Sequence, residues 1–209
     1  MIISPCLGRV LLAMLLVATT ALAGCGLKVP KVSPLGPNDV ILAFGDSLTY
    51  GTGASASESY PAVLAQLTGR KVVRAGVPSE VTEGGLARIS EVLEVHRPAL
   101  VIVCLGGNDM LHKRDEASTK ANLREIIKTI KAGGASVVLV GVPKPALITD
   151  AAPFYAEIAA EFDIPYEGRI VTDVLYQRAL KSDPIHPNAQ GYRKMAEAIA
   201  ALLKKAGAI

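Results

Sequence analysis

The amino-acid sequence predicts a parallel α/β fold, and two patterns in its 209 residues carry that prediction. Short apolar runs rich in Val and Ile recur along the chain, and segments in which apolar residues have helical spacing separate them. Runs that are apolar at every position are typical of strands in a sheet that is covered on both faces, as in parallel α/β proteins. Because 50% of the residues are hydrophobic, the chain can bury one sizeable core, and we expect one main domain.

The elements follow one another in regular alternation. The predicted strands cover 39–44, 71–77, 99–106 and 135–142, with a weaker fifth strand near 164–168. The predicted helices cover 58–68, 82–95, 116–131, 151–163 and 188–205. The last helix is predicted to begin at Pro187 or Asn188, because proline suits the first turn of a helix and asparagine is a good N-cap.

The N-terminus has the layout of a secretory signal. Arg9 is its one charged residue, and the apolar run that follows is too short to span a membrane comfortably. The run ends in LAGC, which resembles the bacterial lipobox, where the cysteine becomes the lipidated first residue. We therefore predict a signal peptide over 1–24, lipidation of Cys25, a Pro- and Gly-rich tether over 25–38, a folded domain over 39–209, and a location on the periplasmic face of the cell envelope. An ordinary cleaved signal and an uncleaved anchor are the alternatives.

Composition excludes several classes of function. The 22 basic and 19 acidic residues are interspersed, which is unlike a nucleic-acid-binding surface, and the absence of Trp argues against a stacking platform. Cys104 lies in an apolar run and is predicted to be a packed core thiol without a disulfide partner. The sequence has no His-Glu-x-x-His motif and no paired-cysteine spacing, so we expect neither a metal nor a cofactor.

Polar motifs follow the predicted strands. They are GDS (45–47), VPSE (77–80), GGND (106–109), VPKP (142–145) and, just before the last helix, SDPIHPN (182–188). Each motif alone is typical of an ordinary turn. The carboxyl ends of parallel strands meet at one edge of the sheet, however, and ligands bind there in such folds. We therefore expect these motifs to form one site.

The residue types in these motifs suit nucleophilic acyl transfer. Ser47 supplies a hydroxyl, and Asp183 is close enough in sequence to orient the imidazole of His186 as a general base. The side-chain amide of Asn108, with the backbone N–H groups of Ser47 and Ser79, could stabilise the developing oxyanion.

On these motifs the sequence resembles the SGNH hydrolases of the GDSL family, and most of all their periplasmic thioesterase, lysophospholipase and arylesterase branch. FGDSLTYG, RAGVPSEVTEGGLAR, LGGNDML and DPIHPN occur in the family's order. The resemblance implies a three-layer α/β/α fold with a five-stranded parallel sheet, flavodoxin-like in strand order. It also implies Ser47 as nucleophile, His186 as base, Asp183 as orienting acid, and Asn108, Ser47 and Ser79 as oxyanion donors.

The second motif departs from the family pattern, which usually reads close to NAGVSGDTT. Here Arg74 replaces the asparagine and Ser79 replaces the oxyanion-hole glycine. A serine N–H can serve as the donor if the local φ suits a residue with a Cβ. We therefore expect activity to survive, without carrying over the substrate preference of relatives. The ordinary α/β-hydrolase elbow G-x-S-x-G does not apply, because Thr49 stands where its second glycine would be.

The predicted function is a serine esterase that hydrolyses small acyl esters, lysophospholipids or thioesters and is held to the membrane by lipid on Cys25. A carbohydrate O-deacetylase or acyltransferase of the envelope is one alternative, and a non-catalytic envelope-binding lipoprotein is another. The acyl pocket depends on loops 77–85, 110–116 and 143–153. Candidate lining residues are Met110, Leu111, Ala146, Leu147 and Ile148.

Overall fold

The sheet has the predicted architecture. The computed structural model describes residues 29–144 and 150–209. The strands are β1 (Val40–Gly45), β2 (Lys71–Gly76), β3 (Leu100–Cys104), β4 (Ser136–Val140) and β5 (Tyr166–Glu167). They form one five-stranded sheet in the order β2-β1-β3-β4-β5, and each neighbouring pair is parallel. The α/β fold class and the flavodoxin-like strand order are therefore confirmed.

The five predicted helices are all present, displaced by no more than two residues at either end. The helices are α1 (Ser47–Tyr50), α2 (Tyr60–Thr68), α3 (Thr82–His96), α4 (Gly107–Leu111), α5 (Glu116–Ala132), α6 (Pro153–Phe162), α7 (Ile170–Tyr176) and α8 (Ala189–Ala206). Two short 3-10 helices cover Ala56–Glu58 and Arg178–Leu180. The sequence did not predict α1, α4 and α7, because segments of four to seven residues are too short to display a helical period.

The core lies on both sides of the central strands. Every residue of β3 is buried, and α5 buries the apolar stripe that its spacing predicted. Helix α2 packs beside α8, and α3 packs beside α5. Cys104 is one of the buried core residues, and burial raises the pKa of its thiol well above the usual value. Among the described residues, the buried apolar side chains run from Leu35 to Ala208, so the packed core lies within residues 26–209, and we expect this segment to fold on its own.

Residues 29–38, within the tether predicted over 25–38, form an N-terminal strap that packs against the domain, a contact that the sequence did not predict. The backbone N–H of Val32 donates to the carbonyl of Ala206 at 3.1 Å, and the N–H of Leu35 donates to the carbonyl of Ala208 at 2.8 Å. The side chain of Leu35 is only 7% exposed. Such pairing of an irregular segment with a helix end leaves no periodic pattern in a sequence, which explains the difference.

The remaining N-terminal predictions, the signal peptide over 1–24 and Cys25, lie outside the described residues. Within residues 29–144 and 150–209, no helix has both the length and the apolar character needed to cross a bilayer.

Two glycines allow the chain to turn sharply where β1 and β3 end. A Cβ at Gly45 would overlap the carbonyl oxygen of Cys104 on the neighbouring strand. Gly106 has a φ of +111°, a conformation that other residues rarely adopt, and a Cβ there would lie 2.7 Å from the hydroxyl of Tyr155. Because of these turns, α1 and α4 begin side by side at the same edge of the sheet.

Candidate active site

Ser47, His186 and Asp183 lie in a hydrogen-bonded chain. Ser47 is the first residue of α1, directly after β1, and its Oγ lies 3.0 Å from Nε2 of His186. The other ring nitrogen of His186, Nδ1, lies 2.7 Å from Oδ2 of Asp183. Since a carboxylate only accepts hydrogen bonds, Nδ1 carries the proton and Nε2 is free to accept the proton of the Ser47 hydroxyl. The structure thus brings together the three residues in which the sequence predicted a triad.

The loop that carries His186 is held by its own acidic residue. Oδ1 of Asp183 accepts hydrogen bonds from the backbone N–H groups of Ile185 and His186, both at 2.9 Å. Partial burial acts to raise the pKa of Asp183, but the hydrogen bonds from Ile185 and His186 outweigh it and lower the pKa below its usual value. Asp183 is therefore ionised at neutral pH and can stabilise a protonated His186.

Asn188 fixes the end of this loop, as the sequence predicted. Its Oδ1 accepts a hydrogen bond from the N–H of Gly191 at 3.1 Å, which makes it the N-cap of α8. Its side-chain amide also donates to the carbonyl of Ala179 at 2.8 Å. The capped helix therefore sets the position from which His186 reaches Ser47.

Asp46 lies beneath the nucleophile and is a residue that sequence reasoning did not assign to the site. Its Oδ1 accepts a hydrogen bond from the N–H of Leu48 at 3.0 Å, so it is the N-cap of α1. Burial raises the pKa of Asp46 to about 7, against the lowering effect of the Leu48 hydrogen bond, and the carboxylates of Glu80 and Asp109 raise it further. The one signal in the sequence is its place directly before Ser47, where an acidic residue can cap a helix.

Asn108 connects the loops that follow β1 and β2. It is the second residue of α4, and its Nδ2 donates to the carbonyl of Glu80 at 2.9 Å. The same nitrogen lies 3.4 Å from Oδ2 of Asp46, a long contact for a hydrogen bond. The backbone N–H of Ser47, at the first position of α1, has no hydrogen-bond acceptor among the described residues. The side-chain amide of Asn108 and the backbone N–H of Ser47 can therefore each donate a further hydrogen bond.

Ser79 has the backbone conformation that usually requires glycine. It has a φ of +64°, within a turn that the N–H of Glu80 closes by donating to the carbonyl of Val77 at 3.2 Å. Pro78 in second place and a positive φ in third place are the pattern of a type II turn. A small polar residue can adopt this conformation at modest cost. Ser79, which stands where the family pattern has glycine, therefore still provides a backbone N–H in this loop.

A largely buried ion pair supports the same loop, and the sequence analysis did not predict it. Arg88 on α3 donates to both carboxylate oxygens of Glu80, through Nε and Nη2 at 2.6 Å each. Nη2 also donates to the carbonyl of Ala75 at 2.9 Å, and the guanidinium lies 4.1 Å from the centre of the Phe44 ring. The carbonyl of Glu80 is the one that holds Asn108, so this ion pair anchors one wall of the site.

An open, mostly apolar cleft lies beside Ser47. Its apolar lining comes from Leu48, Leu111, Val142, Pro143, Leu175 and Ile185. Met110 lines an adjoining cavity with Leu111 and Phe154. The other predicted pocket residues, Ala146, Leu147 and Ile148, lie outside the described residues. Within the described ranges, no three His, Cys, Asp or Glu side chains are grouped as a metal site would need.

Comparisons with known proteins agree with this geometry. Residues 43–194 match the model of the GDSL-like Lipase/Acylhydrolase family. The chain is 35% identical to "Thioesterase 1/protease 1/lysophospholipase L1" of Escherichia coli (strain K12) over 158 residues, which cover 72% of this chain and 76% of that protein. It is 29% identical to "Esterase TesA" of Pseudomonas aeruginosa over 196 residues, covering 88% and 96% of the two chains.

A solved structure supports the same assignment. The crystal structure of TesA matches with a TM-score of 0.70 at 27% identity, covering 79% of this chain and 98% of that one. The family match spans more than half of the chain and includes the segment from β1 to the start of α8. The protein is accordingly a hydrolase that acts on ester or thioester bonds, and it belongs to the GDSL-like lipase/acylhydrolase family, the SGNH hydrolases.

Proposed function

We propose that this enzyme cleaves carboxylic esters or thioesters through a covalent acyl-enzyme on Ser47. The observation that carries the proposal is the chain from Ser47 Oγ through His186 to Asp183, with distances of 3.0 and 2.7 Å. His186 Nε2 takes the hydroxyl proton as Ser47 Oγ attacks the carbonyl carbon, and Asp183 stabilises the imidazolium. His186 then gives that proton to the departing alcohol or thiol. Water, activated by His186 in the same way, releases the carboxylic acid.

The oxyanion of each tetrahedral intermediate is assigned to three donors. They are the backbone N–H groups of Ser47 and Ser79 and the side-chain amide of Asn108. The amide of Asn108 can keep its 2.9 Å bond to Glu80 and exchange its long contact with Asp46 for the oxyanion. Donors that are already in place cost no reorganisation at the moment of reaction, which is why such sites are effective.

Replacing Asn108 tests this assignment. We expect Asn108→Ala to lower kcat by roughly 10²- to 10³-fold, on the order of 3 kcal/mol of activation free energy. The measurement is the rate of p-nitrophenyl acetate hydrolysis, with urea unfolding to show that the variant is folded. Asn122→Ala is a matched control, because Asn122 donates to Thr82 away from Ser47. A variant of Asn108 that keeps near-normal kcat would rule out its role as a donor.

The proposed substrates have an acyl group that fits an apolar cleft and a leaving group that faces solvent. The apolar residues beside Ser47 support an acyl chain, and the name of the Escherichia coli relative includes both thioesterase and lysophospholipase. Small acyl esters, lysophospholipids and thioesters all meet this requirement. The reaction needs only water as co-substrate.

The proposed location is the periplasmic face of the cell envelope, with a lipid on Cys25 after removal of residues 1–24. The LAGC sequence supports this proposal. Growth with radiolabelled palmitate should label the protein, and Cys25→Ala should abolish the label. Label that persists in the variant, or no label in either, would favour an ordinary cleaved signal or an uncleaved anchor.

The test of function is hydrolysis of p-nitrophenyl esters from acetyl to palmitoyl by residues 26–209, beside a Ser47→Ala variant. We expect turnover in the parent protein and its loss in the variant. A profile limited to acetyl would indicate a deacetylase, and activity on long chains would indicate a lipid or thioester hydrolase. Folded protein that hydrolyses none of the esters would contradict the proposal and favour a binding role.

A further inference from the structure

A lysine-rich surface surrounds the N-terminal strap, at the edge of the sheet opposite Ser47. We call it the strap surface, and it consists of residues 29–35 with the segments that pack against them, namely 131–137, 163–164 and 204–208. Its exposed charged side chains are Lys31, Lys131, Lys204, Lys205 and Asp163. Four ammonium groups thus share this surface with one carboxylate.

Local contacts hold Lys31 and Lys131 in place without neutralising them. Nζ of Lys31 donates to the backbone carbonyl of Lys205 at 2.7 Å, and Nζ of Lys131 donates to the carbonyl of Phe162 at 3.0 Å. Carbonyl oxygens accept these bonds but carry no formal charge. Within the part of the chain that the structure describes, none of the four lysines on this surface forms an ion pair. Their positive charge is therefore available to a partner.

The charge of this surface is large for a nearly neutral protein. Lys and Arg exceed Asp and Glu by three over all 209 residues, and the strap surface alone has an excess of three. The neighbouring Glu161 on α6 is already paired with Arg124 at 2.7 Å. A free carboxylate at Ile209 would lower the excess by one. The remaining formal charges of the chain nearly cancel, so the strap surface accounts for the net positive charge of the protein.

The first described residues belong to the strap surface and lie close in sequence to Cys25, the proposed site of the lipid. Three residues, Gly26 to Lys28, separate Cys25 from Val29, where the described chain begins, and Lys28 adds a further positive charge. Even a fully extended backbone covers only about 14 Å over four residues. The strap is attached to the domain, so the lipid on Cys25 would hold the strap surface itself within about 14 Å of the headgroups.

We propose that the strap surface docks on the anionic headgroups of the phospholipid bilayer, with the Ser47 cleft facing away from it. The nearness of the surface to the bilayer rests on the proposed lipid anchor, whereas the affinity of the surface for anionic lipid and the direction of the cleft do not. β1 runs from Val40 beside the strap to Gly45 below Ser47, and its six residues cover about 20 Å. The nucleophile therefore stands well above the headgroups. It meets esters that arrive from the aqueous side and does not reach those in the bilayer that holds the protein.

The test is the binding of residues 26–209 to sedimented vesicles of neutral phosphatidylcholine or anionic phosphatidylglycerol. We expect binding to phosphatidylglycerol alone, weakening as salt is raised. The double variant Lys204→Glu, Lys205→Glu should bind roughly tenfold or more weakly. The control variant Arg178→Glu, Arg193→Glu has the same change in net charge on exposed residues elsewhere, and it should bind like the parent protein.

Hydrolysis of p-nitrophenyl acetate, measured in the same samples, separates this proposal from the proposed function. Vesicle-bound protein should hydrolyse the ester as fast as free protein, because the cleft faces away. Equal binding to both lipids, or equal weakening by both double variants, would overturn the proposal. Activity that falls on binding would overturn the orientation. Binding as expected by protein that hydrolyses no ester would support docking while contradicting the proposed function.

Discussion

At the residue scale, Ser79 shows how the site tolerates a departure from its family's pattern. A positive φ places the Cβ of any residue except glycine close to its own backbone, at a cost on the order of 1 kcal/mol. The turn between Val77 and Glu80 imposes this conformation, and the ion pair of Glu80 with Arg88 keeps the turn in place. The function proposed for Ser79 uses only its N–H, which is independent of the side chain.

Ser79→Gly is expected to stabilise the protein and preserve its activity. The free energy of unfolding should rise by about 0.5 to 1 kcal/mol, because relief of strain outweighs the greater freedom of glycine in the unfolded chain. Urea unfolding and p-nitrophenyl acetate kinetics measure the two effects. Ser79→Ala is the matched control, since it keeps the Cβ and should give no gain in stability. A large loss of kcat in Ser79→Ala would instead implicate the hydroxyl.

Asp46 makes the free energy of unfolding depend on pH in a way that few surface carboxylates would. Its pKa is raised from 3.8 to about 7, so between these values the folded state binds more protons at this site than the unfolded state. Stability from this group is therefore greatest below about pH 4, falls as pH rises, and levels off above about pH 7. The full change is at most about 4 kcal/mol, at 1.36 kcal/mol for each unit of pKa.

Asp46→Asn should remove this slope while keeping the helix cap, because the asparagine oxygen can still accept from Leu48. The measurement is urea unfolding of the proteins from about pH 2 to about pH 8, and between about pH 4 and pH 7 the variant should gain stability relative to the parent as pH rises. Asp115→Asn is a control of opposite sign. Hydrogen bonds from Ser118 lower the pKa of Asp115, so its contribution is present at neutral pH and is lost in acid. Parallel curves for parent and Asp46→Asn would show that Asp46 titrates normally.

At the scale of elements, the pair of Glu80 and Arg88 joins the loop after β2 to helix α3. The two side chains are 8% and 21% exposed, so water screens them little. A buried charge that loses its partner is costly, and we expect a double-mutant cycle of Glu80→Gln and Arg88→Met to give a coupling energy of about 2 kcal/mol or more. Arg88→Met should also lower kcat, because the carbonyl of Glu80 positions Asn108.

A second cycle, of Glu83→Gln and Arg114→Met, is the control for this measurement. It involves the same residue types in an ion pair of 3.1 Å, but the side chains are 76% and 47% exposed. Exposed pairs gain little, so its coupling energy should stay below about 1 kcal/mol and kcat should not change. Equal coupling in the two cycles would mean that the Glu80 pair does not stabilise the oxyanion loop.

At the scale of the whole molecule, the sheet and the site could be predicted because both depend on patterns within short segments. β3 and β4 are apolar at almost every position because helices cover both faces, and such runs stand out in a sequence. Parallel strands then place their carboxyl ends at one edge. Ser47 and Asn108 followed from that rule, and His186 followed from the Asp-x-x-His spacing directly before the last helix, although the three are far apart in the sequence.

Features that depend on long-range contacts left no such pattern. The Glu80–Arg88 pair joins a loop residue to a helix residue, so no single helical or strand period places the two side chains together, and Arg88 also packs on Phe44. The strap pairs with Ala206 and Ala208 at the far end of the chain. The positive φ of Ser79 is set by its turn. A glycine at this position would have indicated a positive φ in the sequence, but a serine does not. Local sequence patterns thus predict the helices, the strands and the strand ends, whereas the ion pair, the strap and the turn at Ser79 depend on tertiary contacts.

The strap offers a last prediction about the molecule as a whole, because it ties the first described residues to the last helix. Leu35→Ala should reduce the free energy of unfolding by about 2 kcal/mol or more, since the side chain is buried beside Ala208. It should leave kcat unchanged, because Ser47 is at the opposite edge of the sheet. Leu67→Ala is the matched control: that side chain is 46% exposed and should cost less than about 1 kcal/mol. Equal stability of the two variants in urea would show that packing of the strap does not stabilise the domain.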